Sequence, residues 1–197
     1  MPGPIAVLDA NVLYPMGSRD FFMWVHLEGV YQPKWTTAIH DEWIRNVAEN
    51  EGIPRAKLQR CRALMDQHAS SALVTGWKRY LPQLERTKID PKDRHVVAAA
   101  LKAQSDAGDH AEVLIITSDV RHFPIADLQA LGLSRMQPDA FAFDLFRHNP
   151  DRVLAALCKM RAALRNPPFT TAKFLSDVIG KGFPRLVEAV APFRAMI

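Results

Sequence analysis

Residues 4–13 read PIAVLDANVL, an apolar run of strand length that ends on an acidic residue, Asp9. A continuous apolar and partly β-branched run is typical of a strand that is buried on both faces. Ligands of open α/β sheets collect outside the carboxyl ends of the strands, so Asp9 is a candidate site residue. Its side chain could equally cap a following helix. This stretch therefore predicts a central strand and leaves both roles of Asp9 open.

A second strong strand pattern, EVLIIT, covers residues 112–117 and is followed by Asp119. Weaker strand patterns occur at residues 31–35, 73–77 and 133–137. Helical patterns separate these runs, and such alternation predicts a parallel sheet with helices on both faces. The expected fold class is thus α/β, and two of its strands end close to an acid.

A third acid lies near the start of a predicted helix that runs from Thr36 or Thr37 to about Asn50. Ile39, Trp43 and Val47 recur every four residues and mark its buried stripe. Glu42 lies beside this stripe. A glutamate in such a place is usually a solvated helix residue, so its candidacy depends on its neighbours in the fold.

Two further acids lie in the segment DPKDRHVVAAAL, residues 90–101. Asp90 and Pro91 predict the N-cap and first position of a helix, which puts Asp93 at the third position, near the positive end of the helix dipole. The small apolar residues that follow are typical of a helix packed tightly against a sheet. The start of this helix is therefore expected near the strand ends.

From Pro138 onward the sequence contains no strand pattern and predicts three or four short helices. Residues 140–197 carry nine Lys and Arg against four Asp and Glu, whereas residues 1–139 are nearly balanced. We therefore expect two parts, a main α/β domain over residues 1–137 and a basic helical extension over residues 138–197.

Composition narrows the function classes. The net charge of +4 permits a polyanionic partner without requiring one. Cys61 and Cys158 form no CxxC pair, so neither a disulfide framework nor a zinc site is indicated. The N-terminus has no signal-peptide pattern and no apolar run reaches the length of a membrane span. We expect a cytoplasmic protein without membrane attachment.

The acids are candidate metal ligands if the sheet brings them to one cleft. Carboxylates that share a site raise one another's pKa and destabilise the fold unless a cation neutralises them. Oxygen ligands without a Cys or His arrangement suit Mg²⁺ or Mn²⁺. Such an ion can lower the pKa of a bound water and orient it for attack on a phosphodiester.

Four segments, taken in order, resemble the PIN domain of metal-dependent ribonucleases, and most closely the toxin type (VapC) of bacterial toxin–antitoxin pairs. The segments are LDANVL, HDEWIRNV, DPKDRHVVAAAL and LIITSDVRHFP. The resemblance covers residues 4 to about 137, and the helical extension is similar to one found in a PIN subgroup. It implies a PIN-like three-layer α/β/α fold.

The resemblance also implies a site. Asp9, Glu42, Asp93 and Asp119 match the four acids that hold Mg²⁺ or Mn²⁺ in this family, with Asp90 left as the helix cap. Asn11 and Thr117 match polar positions that support these acids. Where many relatives have a further Asp or Asn, this chain has Arg121 and His122; His122 is expected either to contact phosphate or, more commonly for such a residue, to have no role.

The partners that the resemblance implies are an RNA substrate, a small antitoxin protein that blocks the cleft, and a second copy of the chain in a homodimer. A dehalogenase-type phosphatase would need a second Asp at position 11, where this chain has Asn. A receiver domain would need an acid pair near its N-terminus, which is absent here. The remaining alternative is a PIN-fold RNA-binding or regulatory module that keeps the acids without turnover.

Overall fold

A four-stranded sheet forms the centre of the protein, in a computed structural model that describes residues 3–108 and 111–197. The strands are β1 (Ile5–Leu8), β2 (Gln32–Lys34), β3 (Val113–Ile116) and β4 (Ser134–Met136). They are all parallel and lie in the order β2-β1-β3-β4. Leu8 is paired with Ile116, so the next residues, Asp9 and Thr117, leave the two central strands side by side.

Helices connect and cover the strands. The α-helices are α1 (Ala10–Leu13), α2 (Met16–Leu27), α3 (Thr37–Glu51), α4 (Arg55–His68), α5 (Arg94–Ala107), α6 (Ile125–Ala130), α7 (Pro138–His148), α8 (Pro150–Ala163), α9 (Thr171–Lys173) and α10 (Pro184–Val190). Short 3₁₀ helices cover Trp77–Tyr80, Pro82–Leu84, Val120–His122 and Ala191–Met196, and a π-helical segment covers Phe174–Ile179. None of the described helices has both the length and the apolar character needed to cross a bilayer.

The core is sealed on both faces of the sheet. Every residue of β3 is buried, as are the last three residues of β1. Helix α5 packs against β1, β2 and β3, and its consecutive buried alanines Ala98, Ala99 and Ala100 allow a close approach. The predicted three-layer α/β/α fold with a parallel sheet is confirmed.

The C-terminal helices pack on the main part through α2. Helix α8 lies along α2, and the ring of Phe141 in α7 stacks on that of Phe22 in α2 at a centroid distance of 5.8 Å. A Cβ atom on Gly17 would lie 2.6 Å from the carbonyl oxygen of Val178. Only glycine therefore permits the observed approach of the π-helical segment to the start of α2.

Two element predictions were wrong. Residues 73–77 do not form a strand: Leu73 makes one isolated bridge with Trp35, and the 3₁₀ helix begins at Trp77. Helix α5 begins at Arg94, three residues later than predicted, because residues 90–93 form a turn in which the Asp90 carboxylate accepts a hydrogen bond from the Lys92 amide. Asp90 is therefore not the helix cap.

Candidate active site

Asp9 lies at the carboxyl end of β1 and is only 3% exposed. Its Oδ1 accepts a hydrogen bond of 2.7 Å from the amide of Ala10, the first residue of α1. Its Oδ2 accepts hydrogen bonds from the Thr117 hydroxyl (2.7 Å) and from Nδ2 of Asn11 (2.6 Å). The capping role is thus observed at Oδ1, while Oδ2 belongs to a polar cluster with Thr117 and Asn11.

Thr117 and Asn11 join the ends of the two central strands. The amide of Asn11 also donates to the Thr117 hydroxyl (3.0 Å), and its Oδ1 accepts from the backbone N–H of Ser118 (3.0 Å). The same hydroxyl accepts from the backbone N–H of Asp119 (3.1 Å). These bonds hold the Asp9 carboxylate in one orientation and set the course of the chain toward Asp119.

The electrostatic environment of Asp9 is unfavourable to its charge. The pKa of Asp9 is raised to about 6, chiefly because burial penalises the carboxylate. Hydrogen bonds from Thr117 and Ala10 lower this pKa, while the negative charges of Asp93 and Glu42 raise it further. The fold therefore brings three of the four predicted acids into electrostatic contact.

Asp93 lies at the start of α5 and makes no capping hydrogen bond, so its carboxylate is free to face the cluster. Its Oδ2 lies 2.8 Å from Nδ1 of His122. Burial raises the pKa of Asp93, the hydrogen bond and charge of His122 lower it, and the charge of Asp90 raises it. Asp93 is thus, after Asp9, the second acid of the cluster that the fold partly desolvates.

His122 connects Asp93 to Asp119. Its Nδ1 is also 3.1 Å from Oδ2 of Asp119, and its Nε2 is 3.9 Å from Oδ2 of Asp90. Ligand-type atoms of Asp90, Asp93 and His122 all lie within 4.8 Å of one another, an arrangement that could hold a metal ion. The sequence treated Asp90 as a cap and expected no more than a phosphate contact from His122, although its position three residues after Asp119 was a usable signal.

Glu42 points from α3 toward α5. Its Oε2 lies 3.6 Å from Nε2 of His95, whose Nδ1 is 2.8 Å from the carbonyl oxygen of Lys92. Nε2 of His95 is buried and has no hydrogen-bond partner in the described part of the chain. Sequence reasoning missed His95, although its place two residues after Asp93 puts it in the first turn of α5.

The residues present fit a hard divalent cation. We call Asp9, Glu42, Asp90, Asp93, Asp119 and His122 the acid cluster. Carboxylate oxygens dominate it, and burial together with mutual repulsion raises the pKa of both Asp9 and Asp93. A divalent cation would relieve that repulsion, and oxygen ligands suit Mg²⁺ or Mn²⁺. The imidazole of His122 adds one nitrogen donor, which Mn²⁺ accepts more readily than Mg²⁺.

Comparison with known proteins points to one family. Residues 138–192 match the family model described as VapC50 C-terminal domain. The chain is 34% identical over 109 residues to the "Putative ribonuclease VapC50" of Mycobacterium tuberculosis. That match covers 52% of this chain and 60% of the relative, so the chain spans less than two thirds of the relative's length. No solved structure matches the chain. The predicted resemblance to VapC-type PIN proteins is confirmed.

Proposed function

Because the chain is similar to a VapC-type ribonuclease of the PIN family, we propose that it is a metal-dependent endoribonuclease that hydrolyses RNA phosphodiester bonds. The observation that carries the proposal is the Asp9 carboxylate, which is buried at the end of β1, raised in pKa to about 6 and surrounded by further acids. A fold gains nothing from such repulsion unless a cation neutralises it.

Asp9, Glu42, Asp93 and Asp119 would hold Mg²⁺ or Mn²⁺. Such an ion, when bound, supplies a water of lowered pKa and neutralises charge at the scissile phosphate. The residues around it have separate tasks. Thr117 and Asn11 orient the Asp9 carboxylate, and His122 keeps the carboxylates of Asp93 and Asp119 together.

The wider proposals rest on the family resemblance and on charge. The basic excess of residues 140–197 favours a polyanionic partner such as RNA. We also propose that the chain is the toxin of a type II toxin–antitoxin system, acts in the cytoplasm, and is inhibited by a small antitoxin that covers the acids. The same resemblance supports a homodimer and a division into a nuclease domain (residues 1–137) and a helical extension (residues 138–197).

The proposal is tested by incubating the purified chain with total RNA in Mg²⁺, in Mn²⁺ and in EDTA, and by mapping the fragment ends. Discrete fragments that require the metal and disappear in Asp9→Asn are the expected result. Asp144→Asn is the matched control, since it makes the same chemical change at a partly exposed acid that contacts His148 in the same helix. Fragments that persist in EDTA would contradict the metal dependence, and fragments that persist in Asp9→Asn would contradict the role of Asp9.

The alternative is a PIN-fold RNA-binding or regulatory module without turnover. The four acids are present, as an active enzyme requires, and only a measurement separates the two functions. Metal-independent retention of RNA by wild type and Asp9→Asn alike, with no cleavage in either metal, would favour the binding module.

A further inference from the structure

A cleft of about 340 Å³ lies next to the acid cluster, between the start of α2 and the C-terminal helices. Asn11 lines it, and the same Asn11 side chain donates to the Asp9 carboxylate. Ser118, whose backbone N–H donates to Asn11, lines the cleft as well. One side-chain layer therefore separates the cleft from the proposed metal site.

The wall of the cleft has an unsatisfied hydrogen-bonding group. Ser18, in the first turn of α2, lines the cleft and is only 7% exposed. Its hydroxyl is buried and finds no hydrogen-bond partner among the described residues. Buried polar groups in native proteins are almost always paired, so this hydroxyl, which water does not reach, is a group that a ligand satisfies if the Ser18 side chain rotates toward the cleft.

The chemistry of the lining favours an uncharged, flat ligand. Pro15, Pro138, Pro184 and Val12 give it apolar surfaces. Asp139 is the one ionisable residue among the described lining residues, and its two oxygens accept hydrogen bonds from the amides of Arg185 and Leu186. A wall with a carboxylate and no cation disfavours a phosphate group, whereas a nucleobase offers flat faces and hydrogen-bonding edges.

We propose that this cleft is a subsite for one unstacked nucleobase of the RNA substrate, next to the bond that is cut. The inference rests on the proposed ribonuclease function and deepens it. Proteins that read RNA sequence do so mostly on single-stranded bases that are splayed out, stacked on side chains and hydrogen-bonded at their edges. The cleft would thus select the cleavage site, and Gly182 and Pro184 make the C-terminal region part of that selection.

Binding can be tested without any cleavage. The four ribonucleosides and inorganic phosphate are titrated separately into the ¹⁵N-labelled full chain, and the amide signals of Ser118, Gln137 and Gly182 are followed by NMR. We expect at least one nucleoside to shift these signals and phosphate to leave them in place. If no nucleoside moves them, or if phosphate does, the proposal is wrong.

Gly182→Phe tests whether the shifts come from the cleft. Gly182 lines the cleft, and a Cβ atom there would meet no described atom within 4 Å, so a side chain can begin at this position without a clash. We expect the nucleoside-dependent shifts to disappear in this variant while its melting temperature stays close to that of wild type. Shifts that persist in a folded Gly182→Phe variant would place the nucleoside elsewhere and overturn the proposal.

Ser18→Ala links the cleft to specificity. We expect the preference for one base beside the cleaved bond to fall by up to about tenfold in kcat/KM, the upper end of what one neutral hydrogen bond contributes. The melting temperature should stay the same or rise, because within the described part of the chain the hydroxyl makes no hydrogen bond that the variant would lose. The exposed Ser105→Ala is the control. An unchanged base preference in Ser18→Ala would contradict the proposal.

The two proposals fail in distinguishable ways. Nucleoside-dependent shifts in a chain that cleaves no RNA would support the proposed subsite and contradict the proposed ribonuclease activity. Metal-dependent cleavage without base preference and without nucleoside-dependent shifts would support the proposed ribonuclease activity and contradict the proposed subsite.

Discussion

Two partly buried groups of acids and histidines, each with a member in α3, differ in whether their polar atoms are paired. In the network formed by Trp35, His40, Trp43, Arg62 and Asp66, no buried side-chain nitrogen or oxygen is left without a hydrogen-bond partner. Asp66 accepts from Nε1 of Trp35 (2.8 Å), lies 3.3 Å from Nε2 of His40, and is paired with Arg62. Nδ1 of His40 accepts from Nε1 of Trp43 (2.9 Å).

In the acid cluster at the strand ends, the negative charges and buried polar atoms are not fully paired. The pKa of Asp9 is raised to about 6, Nε2 of His95 is buried without a described partner, and several carboxylates face one another. The pKa of His40 in the Trp-His-Asp network is lowered to about 4 by burial, so that histidine is neutral and simply completes the packing. The first group stabilises the fold by itself, whereas the second needs an added cation, and this difference separates a structural network from a candidate site.

The largest expected effect comes from Asp93→Asn in the acid cluster. Loss of one charged metal ligand should lower RNA cleavage by about a hundredfold or more, since a bound metal contributes several kcal/mol to catalysis. The metal-free protein should be no less stable than wild type, because the variant removes repulsion. Cleavage rates test the expected loss of activity, and urea unfolding without metal tests the expected stability. A variant that unfolds easily but cleaves normally would show that Asp93 is a structural residue and not a metal ligand.

Asp66→Ala should produce the opposite pattern. It leaves the Trp35 and His40 ring nitrogens without their acceptor, at a cost of about 2 to 4 kcal/mol of unfolding free energy. Cleavage by the folded fraction should stay within about twofold of wild type, because Asp66 lies outside the acid cluster. Unfolding curves and rates at low temperature test this; a selective loss of activity would show that the network also serves the site.

The pH dependence of stability sharpens the comparison further. The folded pKa of Asp9 lies above its unfolded value, so its stabilising contribution is full below about pH 4 and is lost as the pH rises through about 6. From pH 5 to pH 7 the metal-free protein should lose about 1 kcal/mol from this group. Urea unfolding at both pH values measures it; Mg²⁺ should reduce the loss, and Asp9→Asn should abolish it.

The smallest effect is expected for His122→Ala. The His122 side chain is partly exposed, so loss of its contacts with the carboxylates of Asp93 and Asp119 should change the unfolding free energy by less than about 1 kcal/mol. Activation by Mn²⁺ should suffer more than activation by Mg²⁺, since Mn²⁺ makes better use of an imidazole. Metal titrations of the cleavage rate check this, and equal loss with both ions would show that His122 is not a ligand.

The sheet and several helices could be predicted because their signals are local. The apolar runs of β1 and β3 and the four-residue repeat of Ile39, Trp43 and Val47 in α3 need only neighbouring residues to be recognised. The start of α5 was misplaced because Asp90 followed by Pro91 can begin either a helix or a turn. In the structure the Asp90 carboxylate closes a turn by accepting from the Lys92 amide and does not cap the helix. The predicted strand at residues 73–77 failed because Leu73 makes one bridge to Trp35 and no continuous pairing.

The sequence by itself determined that two central strands end beside acids, that a tight alanine-rich helix follows Asp93, and that the C-terminal part is helical and basic. Only the tertiary structure decided that the Thr117 hydroxyl donates to Oδ2 of Asp9, that His122 joins Asp93 to Asp119, and that the Ser18 hydroxyl beside a cleft has no partner among the described residues. The physical reason is distance along the chain. Strand and helix patterns arise from neighbouring residues, whereas the pKa of Asp9 depends on desolvation and on charges more than thirty residues away, which come close only when the sheet is assembled.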